Sequence, residues 1–401
     1  VRNTKLHSMN YPFELSYLKN TFLFWLMLCI CFKPLMAQIL PGATDTVRYL
    51  PELKGKKIGV VAHQASLIYN SDVQKHLVDV LLEKKIEIKS VFAPEHGFRG
   101  TADAGEKIAD GKDPQTQLQI ISLYGKNRKP SAEQLLGIEL MVFDLQDVGV
   151  RFFTYLSTLH YVMEACAEQN IPVLILDRPN PNSDYVDGPV LELKNSSFVG
   201  MHPVPIVYGM TIGEYAKMIN GEGWLSNGVS CNLKVIPIQN YTHKTNYELP
   251  VRPSPNLPNA QAVALYPSLC LLEPTAISVG RGTDQQFQIY GHPLLPKNKF
   301  SFTPKPNFGS KNPKHNGLVC YGSDLTQTPR PKKLEIKWLL DAYTNFPEKS
   351  SFFLKGFDRI SGVENLRKQI AKGISELEIR KSWKNDLHEF KKIRAKYLIY
   401  P

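Results

Sequence analysis

Between Ser90 and Thr101 the chain runs SVFAPEHGFRGT, and here stand the first residues whose types suit chemistry. Glu95 and His96 are adjacent, with Arg99 three residues on. One loop thus holds a proton donor, a second titratable group and a fixed cation. The residues before it, Ile86 to Phe92, read as a strand that must stop at Pro94 and bend at Gly97. Glu95 and His96 are therefore set down where a strand ends. In an open α/β sheet that edge is where ligands bind, because a crevice opens between the loops leaving the strands. Taken alone, such a tripeptide is equally an ordinary loop with solvated charges.

Other strands end in the same chemistry. The apolar run Ile58 to Ala62 stops at His63 and Gln64. Leu140 to Phe143 is followed by Asp144-Leu145-Gln146-Asp147, and Pro172 to Leu176 by Asp177-Arg178-Pro179-Asn180-Pro181. A single Asp after a strand is often only a helix N-cap. With four of the first five strands ending in this way, a shared crevice is the better account, since right-handed crossovers bring those ends to one rim. A later polar cluster, Ser278-Val-Gly-Arg-Gly-Thr-Asp284, carries Arg281 and Thr283 between glycines that allow close backbone approach. No G-x-G-x-x-G follows the first strand, so a dinucleotide cofactor is not supported.

The elements that must position these residues alternate. Val73 to Lys84 has helical spacing, Leu118 to Leu123 is a short strand, and Ser131 with Gln134 reads as a capping box. Helices are predicted from about Thr158 to Gln169 and from the cap Thr211 to about Gly221, with a strand over Cys231 to Ile238. Strands too apolar to alternate argue a parallel sheet covered on both faces. The expectation is an α/β fold: a parallel-sheet domain over 38–249, then a second part of mixed helix and strand over 250–401. Pro250, Pro253, Pro255 and Pro258 mark the boundary. In the second part helices are expected at Ile336 to Thr344 and from a Ser382 cap to about Tyr397.

Of the 401 residues 43% are hydrophobic and 21% charged, an ordinary globular balance. The start differs. Thr21 to Phe32 is an almost unbroken apolar run after Lys19, closing at Leu35-Met36-Ala37, the pattern of a secretory signal peptide over 1–37. The run is short for a membrane span, so no stable membrane anchor is expected after cleavage, and the protein is expected outside the cytoplasm. Removing that segment lowers the net charge from +11 to about +8. The basic residues cluster late, at Lys332 to Lys337 and Arg380 to Lys396, without a nucleic-acid module; no nucleic-acid partner is expected, and an acidic polymer such as the cell wall fits an exported protein better. Cys166, Cys231, Cys270 and Cys320 are widely spaced, so buried free thiols are the default expectation, one disulfide being the alternative in an exported protein, and a zinc site is not expected.

Ala93-Pro-Glu-His-Gly-Phe-Arg-Gly100, Asp144-Leu-Gln-Asp-Val-Gly-Val-Arg-Phe152, Leu176-Asp-Arg-Pro-Asn-Pro181 and Ser278-Val-Gly-Arg-Gly-Thr283 resemble the blocks of the NamZ-type exo-β-N-acetylmuramidases, long catalogued as a domain of unknown function. Gly188-Pro-Val-Leu-Glu192, Tyr208-Gly-Met-Thr211 and Pro253-Ser-Pro-Asn-Leu-Pro258 extend the likeness from about Lys54 to the end. Two positions depart: Ser183-Asp184 and Pro274 stand where relatives carry glycine, and the charged blocks are intact.

The resemblance implies a Rossmann-like N-terminal domain, a smaller α+β C-terminal domain, an active site in the cleft between them, and release of N-acetylmuramic acid from the non-reducing end of peptidoglycan fragments, in the periplasm or after secretion. Glu95 matches the family's proposed catalytic glutamate. Glycoside cleavage ordinarily takes two carboxyl groups: Glu95 is the expected acid, Asp144 and Asp147 are candidates for base or nucleophile, and the substrate's own acetamido group is the other possibility. His96 is expected to orient a carboxylate. A muramyl sugar carries a carboxylate, which calls for a bidentate cation; Arg99, Arg151, Arg178 and Arg281 are candidates, Arg281 and Arg151 foremost. Asp177, Asn180 and Thr283 complete the expected binding set. The alternatives are a non-catalytic periplasmic muramyl-sugar binder and a metal hydrolase built on His63, His96, Asp144 and Asp177, although no H-x-x-x-H spacing supports a metal.

Overall fold

Six apolar strands build the centre of the protein. They are part of the series β1 Lys57–Ala62, β2 Leu67–Asn70, β3 Val73–His76, β4 Glu87–Ala93, β5 Gly111–Lys112, β6 Gln119–Ser122, β7 Leu140–Asp144, β8 Val173–Leu176 and β9 Leu233–Ile236. The computed structural model describes Asn3 and residues 38–70, 73–99, 110–297 and 299–401. The expected signal segment 1–37 therefore lies, Asn3 apart, outside the described residues.

The main sheet has the order β5-β6-β4-β1-β7-β8-β9. Its neighbours are parallel except β5, which pairs antiparallel with β6. Among the parallel strands the first lies centrally, the second and third step to one side, and the last three step to the other. That is the doubly wound order, with its switch point between β1 and β7. Ala62 pairs with Asp144 and Ala93 with Ser122, so the strand-end polar residues do share one rim.

Strict alternation in these buried strands divides them between two cores. Ile58, Val60 and Ala62 of β1, with Val91 and Val142, face one apolar cluster. Val61, Phe92, Met141, Phe143 and Ile175 face the other, which continues through Leu269, Trp338 and Phe390. With both faces covered, no polar position is needed, which is why the sequence runs were uniformly apolar.

Helix starts follow their caps. Capping boxes are formed by Ser131 with Gln134 and by Thr211 with Glu214, opening helices Ala132–Leu135 and Ile212–Gly221. The helix after β7 is Tyr155–Glu168, starting earlier than its spacing suggested, with both sides of its first three turns buried. The reading of Val73 to Lys84 as one helix is corrected: its first four residues pair with β2 as a hairpin, and the helix is Leu77–Glu83, capped by His76 accepting from the Val78 amide at 3.2 Å. Ser382 is not a cap either. It ends helix Glu376–Ser382, its hydroxyl donating back to the Ile379 carbonyl at 2.7 Å, and the last helix is Lys384–Ala395.

After the proline-rich loop comes a helix the sequence reading missed, Ala260–Leu269, capped by the Asn259 side chain on the Ala262 amide at 2.9 Å. A small antiparallel sheet follows, with β10 Ile289–His292, β11 Ser301–Phe302 and β12 Cys320–Asp324 in the order β10-β12-β11. Short helices complete the C-terminal part. Cys166, Cys231, Cys270 and Cys320 are free and buried, as expected.

Candidate active site

Where β4 ends, the chain turns sharply. The Gly97 amide donates to the Pro94 carbonyl at 3.0 Å, and His96 and Gly97 both take left-handed backbone angles, φ 73° and 81°. For a histidine that conformation is uncommon and costs about 1–3 kcal/mol. It buries the His96 ring, which is 4% exposed, and leaves Glu95 half-buried, lining a cavity of about 370 Å³. Thr154 Oγ1 donates to Glu95 Oε2 at 2.7 Å, and the Tyr155 hydroxyl donates to the Glu95 carbonyl at 3.3 Å. Tyr124 also meets the carboxylate: burial raises its hydroxyl pKa most, and the Glu95 charge and hydrogen bond raise it further. Hydroxyls from the chain after β6 and after β7 thus hold the acid.

The cavity lies between the ends of β4, β6 and β7 and the C-terminal part. Phe152, Phe153, Tyr266 and Phe287 give it aromatic walls, and Arg128, Arg281 and Arg359 are its cations. Among the described residues its carboxylates are Glu95 and Glu273. Arg281 clasps Glu273: Nε lies 3.1 and 3.0 Å from the two carboxylate oxygens and Nη2 2.8 Å from Oε2. Burial works to raise the Glu273 pKa, but the Arg281 charge and hydrogen bonds, with Lys314 behind, hold it below its ordinary value. The Gly280-Arg281-Gly282 turn that presents this arginine needs both glycines. Each has φ near +80°, and an added Cβ would lie 2.8 Å from the Gln285 carbonyl or 2.7 Å from that of Lys305.

Glu95, His96 and Arg281 are thus brought together as the sequence suggested, while the other selected residues are absent from the cavity lining. Asp144 is fully buried against Arg178, with contacts of 2.5 and 2.8 Å, and Arg178 also donates to the Leu67 carbonyl at 3.0 Å. Asp147 is 4% exposed and accepts from the Tyr208 hydroxyl and, at 2.7 Å, from the Gly149 amide. Burial pushes its pKa up to about 6, against the pull of those hydrogen bonds. The expectation that Arg151 points at an anion is corrected. Its guanidinium, 1% exposed, donates to four backbone carbonyls, Pro189, Val204, Ile360 and Ser361.

Asp177 accepts from Thr211 at 2.7 Å and Tyr400 at 2.6 Å. Asn180 bonds the Met210 carbonyl and the Asn182 amide, both at 2.8 Å. Arg99 pairs with Asp113 at 2.8 Å, and the Thr283 hydroxyl donates to the Gly280 carbonyl at 2.7 Å. His63 is wholly buried, and desolvation, then the Arg178 charge, keeps its pKa well below the ordinary value. Among the described residues no three His, Cys, Asp or Glu are placed to hold a metal ion. Tyr124, Arg128, Thr154, Glu273 and Arg359 were missed. Of these only Glu273 carried a signal, an acid closing an apolar run just before Pro274.

An acid presented from the rim of a doubly wound sheet into an aromatic-walled cavity of small-ligand size sets a proton donor against a small bound molecule. Residues 58–261 match the family model described as exo-β-N-acetylmuramidase NamZ, N-terminal, and residues 264–400 match its C-terminal counterpart; the chain belongs to this family. It is 37% identical over 374 residues to the peptidoglycan β-N-acetylmuramidase NamZ of Bacillus subtilis (strain 168), covering 88% of this chain and 89% of the Bacillus protein. Two crystal structures of DUF1343 family proteins from Bacteroides fragilis NCTC 9343 are similar in fold. One is 43% identical with a TM-score of 0.84, covering 91% of this chain and 99% of the other. The second is 28% identical with a TM-score of 0.76, covering 90% and 99%.

Proposed function

We propose that this chain is an exo-acting glycoside hydrolase that releases N-acetylmuramic acid from the non-reducing end of peptidoglycan fragments, with Glu95 as general acid. The observation that carries the reading is the Glu95 carboxyl, bonded by Thr154 and facing an aromatic cavity. Aromatic walls suit the apolar faces of a sugar ring, and the fixed acid suits protonation of the leaving oxygen. Family membership supplies the sugar class.

The second catalytic group belongs among those that face the cavity. Asp144 is occupied by Arg178 and Asp147 by Tyr208, which leaves Glu273 or the substrate's 2-acetamido oxygen. His96 lines the cavity beside the acid from its strained turn. Export is part of the same proposal and rests on the apolar run Thr21 to Phe32 before Ala37; amino-terminal sequencing of the secreted protein should begin at Gln38.

Glu95→Gln should lower release from an aryl N-acetylmuramide by about 10²–10⁴-fold while calorimetric binding of N-acetylmuramic acid persists. Near-normal turnover in that variant would refute the role. Binding without any product from the unaltered protein would instead mark a binding protein.

A further inference from the structure

We propose that Arg359 is the residue that recognises the carboxylate of the muramyl sugar, and that Arg151 is the positioning residue that holds it over the cavity. The inference rests on the muramidase reading and adds the determinant of its acid specificity. An N-acetylmuramyl unit differs from N-acetylglucosamine by an ether-linked lactyl group, an α-alkoxy carboxylate. A planar guanidinium without a competing acid is the side chain that meets such a group with two parallel hydrogen bonds.

Three guanidiniums line the cavity, and their surroundings separate them. Arg281 is committed to Glu273 through three contacts of 2.8–3.1 Å. Arg128 lies over the Phe198 ring, 4.4 Å from its centroid, on the loop after β6. Arg359 stands on the short helix Phe357–Ser361 at the rim between this cavity and an adjoining one of about 600 Å³. Its nearest acid in sequence, Asp358, is taken by Arg367 at 3.1 and 2.8 Å. Among the described residues no carboxylate pairs with Arg359.

An exposed arginine is selective only if its backbone is fixed, and here it is fixed unusually well. Arg151 Nη2 donates to the carbonyls of Ile360 at 3.1 Å and Ser361 at 2.7 Å, the two residues after Arg359. Its Nη1 is tied to Pro189 at 2.8 Å and Val204 at 2.7 Å. Gly362 lets the guanidinium approach, since a Cβ there would lie 2.3 Å from Nη2. The Gly362 carbonyl in turn accepts from the Glu192 amide at 2.9 Å and from Asn195 Nδ2 at 3.1 Å. On its other side Arg151 runs directly into Phe152, Phe153 and Thr154, the wall that holds Glu95. One buried cation thereby sets the spacing between the acid and Arg359. The carbonyls bind both terminal amino groups of Arg151 without neutralising it, so a neutral substitute leaves four acceptors unmet.

The test is calorimetric titration of the whole protein with N-acetylmuramic acid, its lactyl carboxamide and N-acetylglucosamine, alongside turnover of the matching aryl glycosides. Arg359→Ala should weaken the acid about 10- to 100-fold and leave the carboxamide and N-acetylglucosamine unchanged, with an unaltered melting temperature. Arg359→Lys should recover only part. Arg151→Lys should reduce the preference for acid over carboxamide in the folded fraction; a purely structural role would lower that fraction and leave the preference intact. The proposal is overturned if Arg359→Ala binds the acid normally, loses all three ligands alike, or if the selective loss belongs to Arg128→Ala. Selective binding with no turnover by the unaltered protein would sink the muramidase reading while upholding the Arg359 assignment.

Discussion

Glu95 follows β4, and Asp144 and Asp147 stand at the end of β7, the two strands that flank β1, and their neighbours give them different work. Glu95 receives hydroxyl donors and keeps one face on the cavity. Asp144 is wholly desolvated against Arg178, and the pair ties β7 to β8 and to Leu67 at the start of β2. Removing one partner of such a pair strands a buried charge. Asp144→Ala should therefore cost about 3–5 kcal/mol of stability, seen as a large drop in the denaturation midpoint. A catalytic role would instead show as lost turnover at an unchanged midpoint. Thr154→Val removes one donor from Glu95 and little else; turnover should fall roughly tenfold with the melting temperature almost unmoved.

At the scale of elements, the site is made by turns set against rigid strands. The left-handed His96-Gly97 turn aims Glu95, and the Gly280-Arg281-Gly282 turn aims the facing guanidinium. In Gly282→Ala the new Cβ meets the Lys305 carbonyl and an unfavourable φ of +83°. A cost of about 1–3 kcal/mol is expected, together with a rise in KM as Arg281 and Glu273 move. Unchanged KM with the same loss of stability would show that this turn does not position substrate.

Across the whole molecule, the C-terminal end closes back onto the sheet. The Tyr400 hydroxyl donates to Asp177, and Glu214 accepts from the Ile399 amide at 2.7 Å and lies 2.8 Å from His243. Burial raises the Asp177 pKa to about 7, against the hydrogen bonds from Tyr400 and Thr211. The unfolded chain releases that proton near pH 4, so the folded chain binds it more tightly. The resulting stabilisation is full below about pH 4 and is lost as the pH rises towards 7. Melting curves from pH 4 to 8 should show a steeper decline in the unaltered protein than in Asp177→Asn, which keeps the share due to Asp147. A parallel decline in both would assign it elsewhere.

The apolar strands, the Ser131 and Thr211 caps and the placing of polar residues after strands were all legible from the sequence, because each depends on a few neighbouring residues. The Val73 hairpin and the Ala260–Leu269 helix were not, since a distant partner strand and burial overrode local spacing. Which strand-end acid faces the cavity was decided only by the tertiary structure. Asp144, Asp147 and Asp177 are taken up by Arg178, Tyr208 and Tyr400, residues 34, 61 and 223 positions away. Arg359 reaches the same cavity from a segment without a local signature, and Glu273 from the end of an apolar run. What a carboxylate or guanidinium does follows from the groups that desolvate and bond it, and the folded chain brings most of those from far along its length.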